Sequence, residues 1–471
     1  MTSLRERIKG VSLIFACGTA LFSDGYSNGV INNVNTLLTR IYSSEKIERN
    51  NYGNTLRSLT FAGTVVGMLL FGWLSDKMGR KFGMMSATAI VAVFALLSSA
   101  SKGAHGDLYG MLAMLSTMRF MLGIGIGAEY PCGSVSAAEQ SEEENINRYA
   151  QHRWVCLSTY NMILWGNIFS AFVPLVLFWI LGNDHLRAIW RLSLGLGAVS
   201  AMVVFLWRLN MDEPTRYKTD SMKRVRIPYM LVLKRYWVPL SAISAIWFLY
   251  DFIVYPFGIY STTILNNITG GNDSLAVIFG WNVVIHLMGI PGAIGGAWLL
   301  DYLDPKWILI GALILQSVVG FLMAGLYKSL TEHIAVFAVR PGNCTILLAA
   351  KQSSTAVRGQ YYGVAAAVGK LGAFVGTWAF PPMIDAFGGP QSTRGNTGPF
   401  WVASGLTLAS VIITFFWVKP MSHDGLIEED RAFREYLEDN GFDTSMMGLG
   451  ERDSSSASLE VSSQDKEAEK C

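Results

Sequence analysis

The sequence predicts an all-α integral membrane protein with twelve spanning helices in two six-helix halves. Three observations carry that expectation. Apolar runs of about twenty residues, the length that crosses a hydrocarbon core, recur twelve times. Only 15% of the residues are charged against 51% hydrophobic, whereas a soluble domain holds about a quarter charged; mean hydropathy is +0.34. A basic connection, 208–237, divides the runs six and six.

Taken in order, the expected spans are 11–32, 55–75, 82–101, 108–136, 153–181, 188–207, 238–266, 275–300, 307–326, 333–350, 360–384 and 399–418. The first follows Arg5, Arg7 and Lys9 and so resembles a signal peptide. It continues through Asp24 and Asn28 to Ile31 without a small-residue cleavage site, and reads as an uncleaved span. The halves are expected at 1–207 and 238–420, with a polar tail at 421–471 that forms a short helix and then a disordered end open to regulation. Lysine and arginine placement sets the orientation: 25 fall on the segments that share a side with the N-terminus and 7 on the opposite segments. Both termini are therefore expected in the cytosol. The outer 7–8 connection carries two glycosylation sequons, at Asn267 and Asn272.

Some classes are disfavoured. Five cysteines occur without a CxxC pair or disulfide framework, and no His/Cys spacing suits a metal. No Ser/His/Asp string or cofactor motif argues for an enzyme, and no basic stripe interleaved with aromatics argues for nucleic acid.

What remains is charge inside the membrane. Helices 1, 4, 7 and 10 occupy equivalent places in a two-half, three-helix-unit arrangement. Each carries an ionisable residue: Asp24, Arg119 with Glu129, Asp251, and Arg340. Such residues are costly in lipid, so a central polar cavity is the simplest account. The fourth run also places Gly123 and Gly127 near the face of Arg119, which permits close helix packing. Arg119 and Glu129 lie about 15 Å apart along an ideal helix, too far to pair directly. Trp247, Asp251 and Tyr255 recur every four residues and line one face. His286 reads as a packed histidine.

Several strings resemble known families. Gly72-Trp-Leu-Ser-Asp76-Lys-Met-Gly79-Arg80-Lys81 resembles the loop motif of the major facilitator superfamily, and Asp212-Glu-Pro-Thr-Arg216 resembles its element after helix 6. The second-half counterpart, Asp301-Tyr-Leu-Asp-Pro-Lys306, is degenerate. Gly123–Glu139, Trp247–Tyr255 and Gly363–Lys370 are similar to helices 4, 7 and 11 of phosphate:proton symporters. Two departures, Ser27 and Glu129 where that group usually has aspartate, resemble fungal glycerophosphodiester permeases.

The resemblance implies a plasma-membrane, proton-coupled importer of glycerophosphodiesters, such as glycerophosphoinositol or glycerophosphocholine, working as a monomer by alternating access. An inorganic phosphate symporter of the same fold is the alternative, and a non-transporting nutrient receptor a more remote one. A phosphodiester anion needs positive charge, for which Lys370 leads and Arg340 follows. Tyr130, Trp247, Asp251, Tyr255 and Asn343 complete the expected substrate site. Asp24, Glu129 and Asp251 are the expected proton carriers, because burial favours a carboxyl group's neutral form. Asp76, Arg80, Lys81, Arg119 and Arg216 are expected in gating or structural roles.

Overall fold

The structure, a computed structural model, describes residues 4–48, 51–143, 146–223, 225–268, 274–327, 345–389, 392–445 and 447–448. Every regular element among them is helical. Among the described residues, eleven helices are long and apolar enough to cross a membrane. They are α1 (Arg5–Tyr42), α2 (Tyr52–Met78), α3 (Arg80–Ser99), α4 (Leu108–Ser141), α5 (Arg148–Leu181), α6 (Asn183–Arg208), α7 (Tyr229–Ile268), α8 (Leu275–Leu299), α9 (Pro305–Gly325), α11 (Arg358–Ala386) and α12 (Thr393–Trp417). Of the expected tenth span only the end is described, as α10 (Thr345–Lys351). A polar helix, α13 (Gly425–Asp439), follows the last span. Arg340, Asn343 and Asn272 lie outside the described residues, as does the side chain of Asn267.

Most spans run past their expected bounds, and three of the extensions have a clear physical reason. α1 runs on to Tyr42 because Val34, Leu37 and Leu38 are buried on one face; Asn32, Asn33 and Asn35 beside them lower hydropathy without breaking the helix. α7 begins at Tyr229, inside the expected connection. There Arg235 and Tyr236 both bond Glu429 of α13, at 2.9 Å and 2.6 Å, which anchors the first stretch of the helix. α4 continues past 136 to Ser141 through a π-helical turn, Tyr130–Ser134, that contains Pro131. Such turns re-aim side chains and concentrate at functional sites.

Within the first half α2 packs on α4, α3 on α6 and α1 on α5; in the second, α7 packs on α11 and α9 on α12. Small residues make the tightest of these seams. A Cβ on Gly127 would stand 2.1 Å from the Thr64 carbonyl oxygen, so α4 meets α2 backbone to backbone, as packing in lipid favours. The halves meet along α2–α11 and α5–α8. At the first seam Gly363 passes Met68 so closely that a Cβ would lie 2.4 Å from the Met68 carbonyl oxygen. Large apolar side chains such as Trp179, Ile180 and Phe416 point outward, as a lipid-facing surface requires. The 76–81 and 208–225 connections gather with α13 at one end of the bundle.

Candidate functional site

A cavity of about 970 Å³, measured out to its mouth, lies between the halves. α1 contributes Asp24, Asn28 and Asn32, α4 Tyr130, α5 Tyr160 and Asn167, α7 Trp247, Asp251 and Tyr255, and α11 Lys370. Helical spacing explains the convergence: the α1 and α7 residues recur every four positions and share a face. The π-helical turn brings Tyr130 to α1, where its hydroxyl donates to Asp24 Oδ2 at 2.7 Å.

Lys370 forms the centre. Its Nζ lies 3.7 Å from Asp251 Oδ2 and 3.8 Å from Asp24 Oδ2, and donates to the Tyr255 hydroxyl. It stands over the rings of Tyr255 and Tyr130, 4.1 Å and 5.1 Å from their centroids. Lys370, Asp24, Asp251 and Tyr130 are buried, Lys370 being 1% exposed, and Tyr255 is partly buried. Trp247 closes one wall against Tyr130 and Tyr362, with ring centroids 6.3 Å and 5.5 Å away. The cluster holds one cation and two carboxylates. With both acids ionised it repels an anion; with both protonated it presents one positive charge to a singly charged ligand.

Not every expected site residue arrives there. Glu129 turns away from the cavity into a buried ion pair with Arg208, at 2.8 Å and 2.9 Å. Arg208 also donates to the Ala16 carbonyl at 2.9 Å, beside the 3₁₀ turn at Thr19–Leu21 that interrupts α1. Arg119 donates to the Ser27 carbonyl at 2.7 Å, tying α4 to α1 outside the cavity. Of the four ionisable helices, the described residues therefore bring α1 and α7 to the site through their acids, and α4 through a tyrosine. His286, set aside from sequence, does line the cavity.

A sequence model described as "Sugar (and other) transporter" matches residues 11–225 and 259–433. The chain belongs to that transporter family. A glycerophosphocholine permease of Candida albicans is 42% identical over 94% of this chain and 85% of its own length. A major glycerophosphoinositol permease of the same yeast is 40% identical over 93% and 83%. Among solved structures, a proton:xylose symporter superposes with a TM-score of 0.75, at 15% identity, over 92% of this chain and all of that one. The transporter therefore has the major facilitator fold expected from its loop motif, and is a multi-pass membrane protein rather than an enzyme.

At the end holding α13, the transporter has a second buried charge cluster. Arg80 bonds Asp76 at 2.6 Å and Glu139 at 3.0 Å; Arg358 reaches the same Glu139 oxygen at 3.0 Å. Asp76 crosses between the halves, accepting from the backbone N–H groups of Gly359 and Gln360, both at 2.9 Å. Asp430 of α13 accepts from the Thr355 N–H at 2.6 Å and its hydroxyl at 2.7 Å. Arg216 joins from the inter-half connection, 3.6 Å from Glu142 and 3.8 Å from Asp430. Lys81 instead bonds the Leu209 carbonyl at 2.9 Å. Glu213 accepts from the backbone N–H groups of Arg80 and Lys81, at 3.0 Å and 3.1 Å, capping α3 with a negative charge. Glu139, Arg358, Asp430 and Glu213 were missed from sequence.

The same end holds two stacked imidazoles, His152 and His423, with centroids 4.7 Å apart. Burial, with Lys351 and Arg148 nearby, holds His423 below its ordinary value of 6.5, against the opposing pull of Asp301 and Asp424. A histidine whose value falls on docking contributes fully above its free value and loses that contribution as pH falls below it. Docking of the α13 segment therefore weakens as pH drops from 7.5 through 6.5 to 5.5. Limited proteolysis between 421 and 448 should show faster cleavage at the acid end, with the slope flattened in His423→Gln.

Proposed function

We propose that the transporter imports glycerophosphodiesters across the plasma membrane, coupled to protons, with both termini in the cytosol. The observation that carries this reading is a single buried lysine shared between two carboxylates, in a cavity between the halves. The named activities of the Candida albicans permeases support the substrate class. The name of the proton:xylose symporter supports coupling to protons.

In this mechanism Lys370 holds the phosphodiester, with Tyr130 and Tyr255 as hydroxyl donors and Trp247 as a wall. Asp24 and Asp251 take up protons, which removes their repulsion and converts them into donors. Binding of substrate and proton then favour each other reciprocally. The halves, 1–207 and 238–420, rock about the site, and the Asp76–Arg80–Glu139–Arg358 cluster latches one end; a single chain suffices. Glu129, held by Arg208, keeps α1, α4 and α6 in register.

The test is uptake into proteoliposomes under an imposed pH gradient, with labelled glycerophosphoinositol, glycerophosphocholine and phosphate. Accumulation of a diester supports the reading; accumulation of phosphate with no diester overturns the substrate, and specific binding without uptake would mark a receptor. In the same assay Asp251→Asn retains diester exchange but loses most gradient-driven accumulation. Undiminished accumulation in that variant would remove Asp251 from the proton path.

A further inference from the structure

The cavity changes chemistry along its length. Around Lys370 the walls are carboxylates and phenol rings. Further along α1, away from the latch, Asn28 and Asn32 follow Asp24 at four-residue spacing, and Asn167 of α5 lines the same space. Glycines bring α5 this near. A Cβ on Gly25 would stand 1.9 Å from the Ile163 carbonyl oxygen, and one on Gly29 would stand 2.0 Å from Ser170 Oγ and 3.4 Å from the Asn167 amide oxygen.

These amides are incompletely used within the protein. Asn28 gives an amide hydrogen to Asp24 Oδ1 at 2.7 Å, which links this wall to the charged centre. The amide oxygen of Asn32 is buried and has no hydrogen-bond partner. A buried acceptor left in that state is costly, and a ligand hydroxyl would relieve it. Along the helix axis Asn28 stands about 6 Å and Asn32 about 12 Å from Asp24. Alcohol groups esterified to a phosphate held at Lys370 extend into that range.

Carboxamides both donate and accept without carrying charge. They match vicinal hydroxyls, which do the same. We propose that Asn28, Asn32 and Asn167 form a hydroxyl subsite that receives the vicinal hydroxyls of the phosphodiester's alcohol moiety. The proposal rests on the diester reading and adds which wall recognises the alcohol. Vicinal hydroxyls occur both on the glycerol end of every glycerophosphodiester and on an inositol ring.

Competition binding to the purified transporter tests it, comparing wild type with Asn32→Ala and Asn167→Ala. The probes are glycerophosphocholine, glycerophosphoinositol and dimethyl phosphate, a diester without hydroxyls. Each variant should weaken hydroxylated diesters about tenfold, the scale of one lost hydrogen bond to a buried group, while dimethyl phosphate changes less than about twofold. Equal losses for both hydroxylated probes assign the wall to glycerol; a loss confined to glycerophosphoinositol assigns it to the ring. Unchanged binding of both, or an equal loss for dimethyl phosphate, overturns the subsite. Asn32→Ser, smaller but still able to donate and accept, carries the same comparison should the alanine variant fold poorly. Wild-type protein that binds dimethyl phosphate but no glycerophosphodiester would instead sink the diester reading, and the subsite with it.

Discussion

Lys370→Ala abolishes diester binding at concentrations that saturate the wild type. The substitution removes the single cation among the cavity-lining residues described and leaves Asp24 and Asp251 facing the space it vacates. Truncating one partner of a buried charge cluster costs about 2–5 kcal/mol, because the remaining charges are left uncompensated. That corresponds to a loss of at least about 30-fold, before direct repulsion of the anion is counted. Lys370→Arg is not a neutral control. Its planar fork must fit where a compact ammonium now lies between two phenol rings. Titration calorimetry on purified protein reads the effect, and binding within about threefold of wild type would reject Lys370 as the anion ligand.

Glu139→Gln opens the latch. Glu139 is the carboxylate that Arg80 of the first half and Arg358 of the second share, and all three side chains are fully buried. Its neutralisation leaves two guanidinium groups out of water with reduced compensation; breaking a buried pair costs about 3–5 kcal/mol. A protein that opens this end during its cycle recovers part of that cost by opening, since water then reaches both arginines. The population should shift towards the state open at the latch. A cysteine placed at Ser353, fully buried in the closed end, should become reactive to a water-soluble thiol reagent at a rate raised at least tenfold. An unchanged rate in stably folded Glu139→Gln protein would mean that the cluster does not set the closed state.

The charged centre of the cavity was legible in the sequence because its signals are local and expensive. Asp24 and Asp251 interrupt apolar runs, and Trp247, Asp251 and Tyr255 declare a helix face by their spacing. The glycine-rich string leading to Lys370 added the cation through family likeness. The Glu129–Arg208 pair was not legible. Arg208 stands at the end of its span, where an arginine normally reports only topology, and its partner is 79 residues away. The latch partners were hidden for a related reason. Glu139 and Arg358 lie near helix ends and Asp430 on a polar tail helix, where charge reads as solvated, and only the meeting of two halves and the tail helix removes them from water. The asparagine wall escaped notice because an amide carries no charge that would mark it as a site within an apolar run.

The backbone crossing of α2 and α11 has a mechanical consequence. Where Gly363 passes Met68 and Gly72 passes Gly359, backbone lies directly against backbone. A joint of that kind is a bearing: turning one half on the other need not drag a bulky group out of a socket there. Resistance to the turn then resides largely in the charges beside the bearing, above all Asp76 and its two N–H partners. The turnover rate should accordingly respond more steeply to a change of charge at that end than to a change of side-chain volume along the seam.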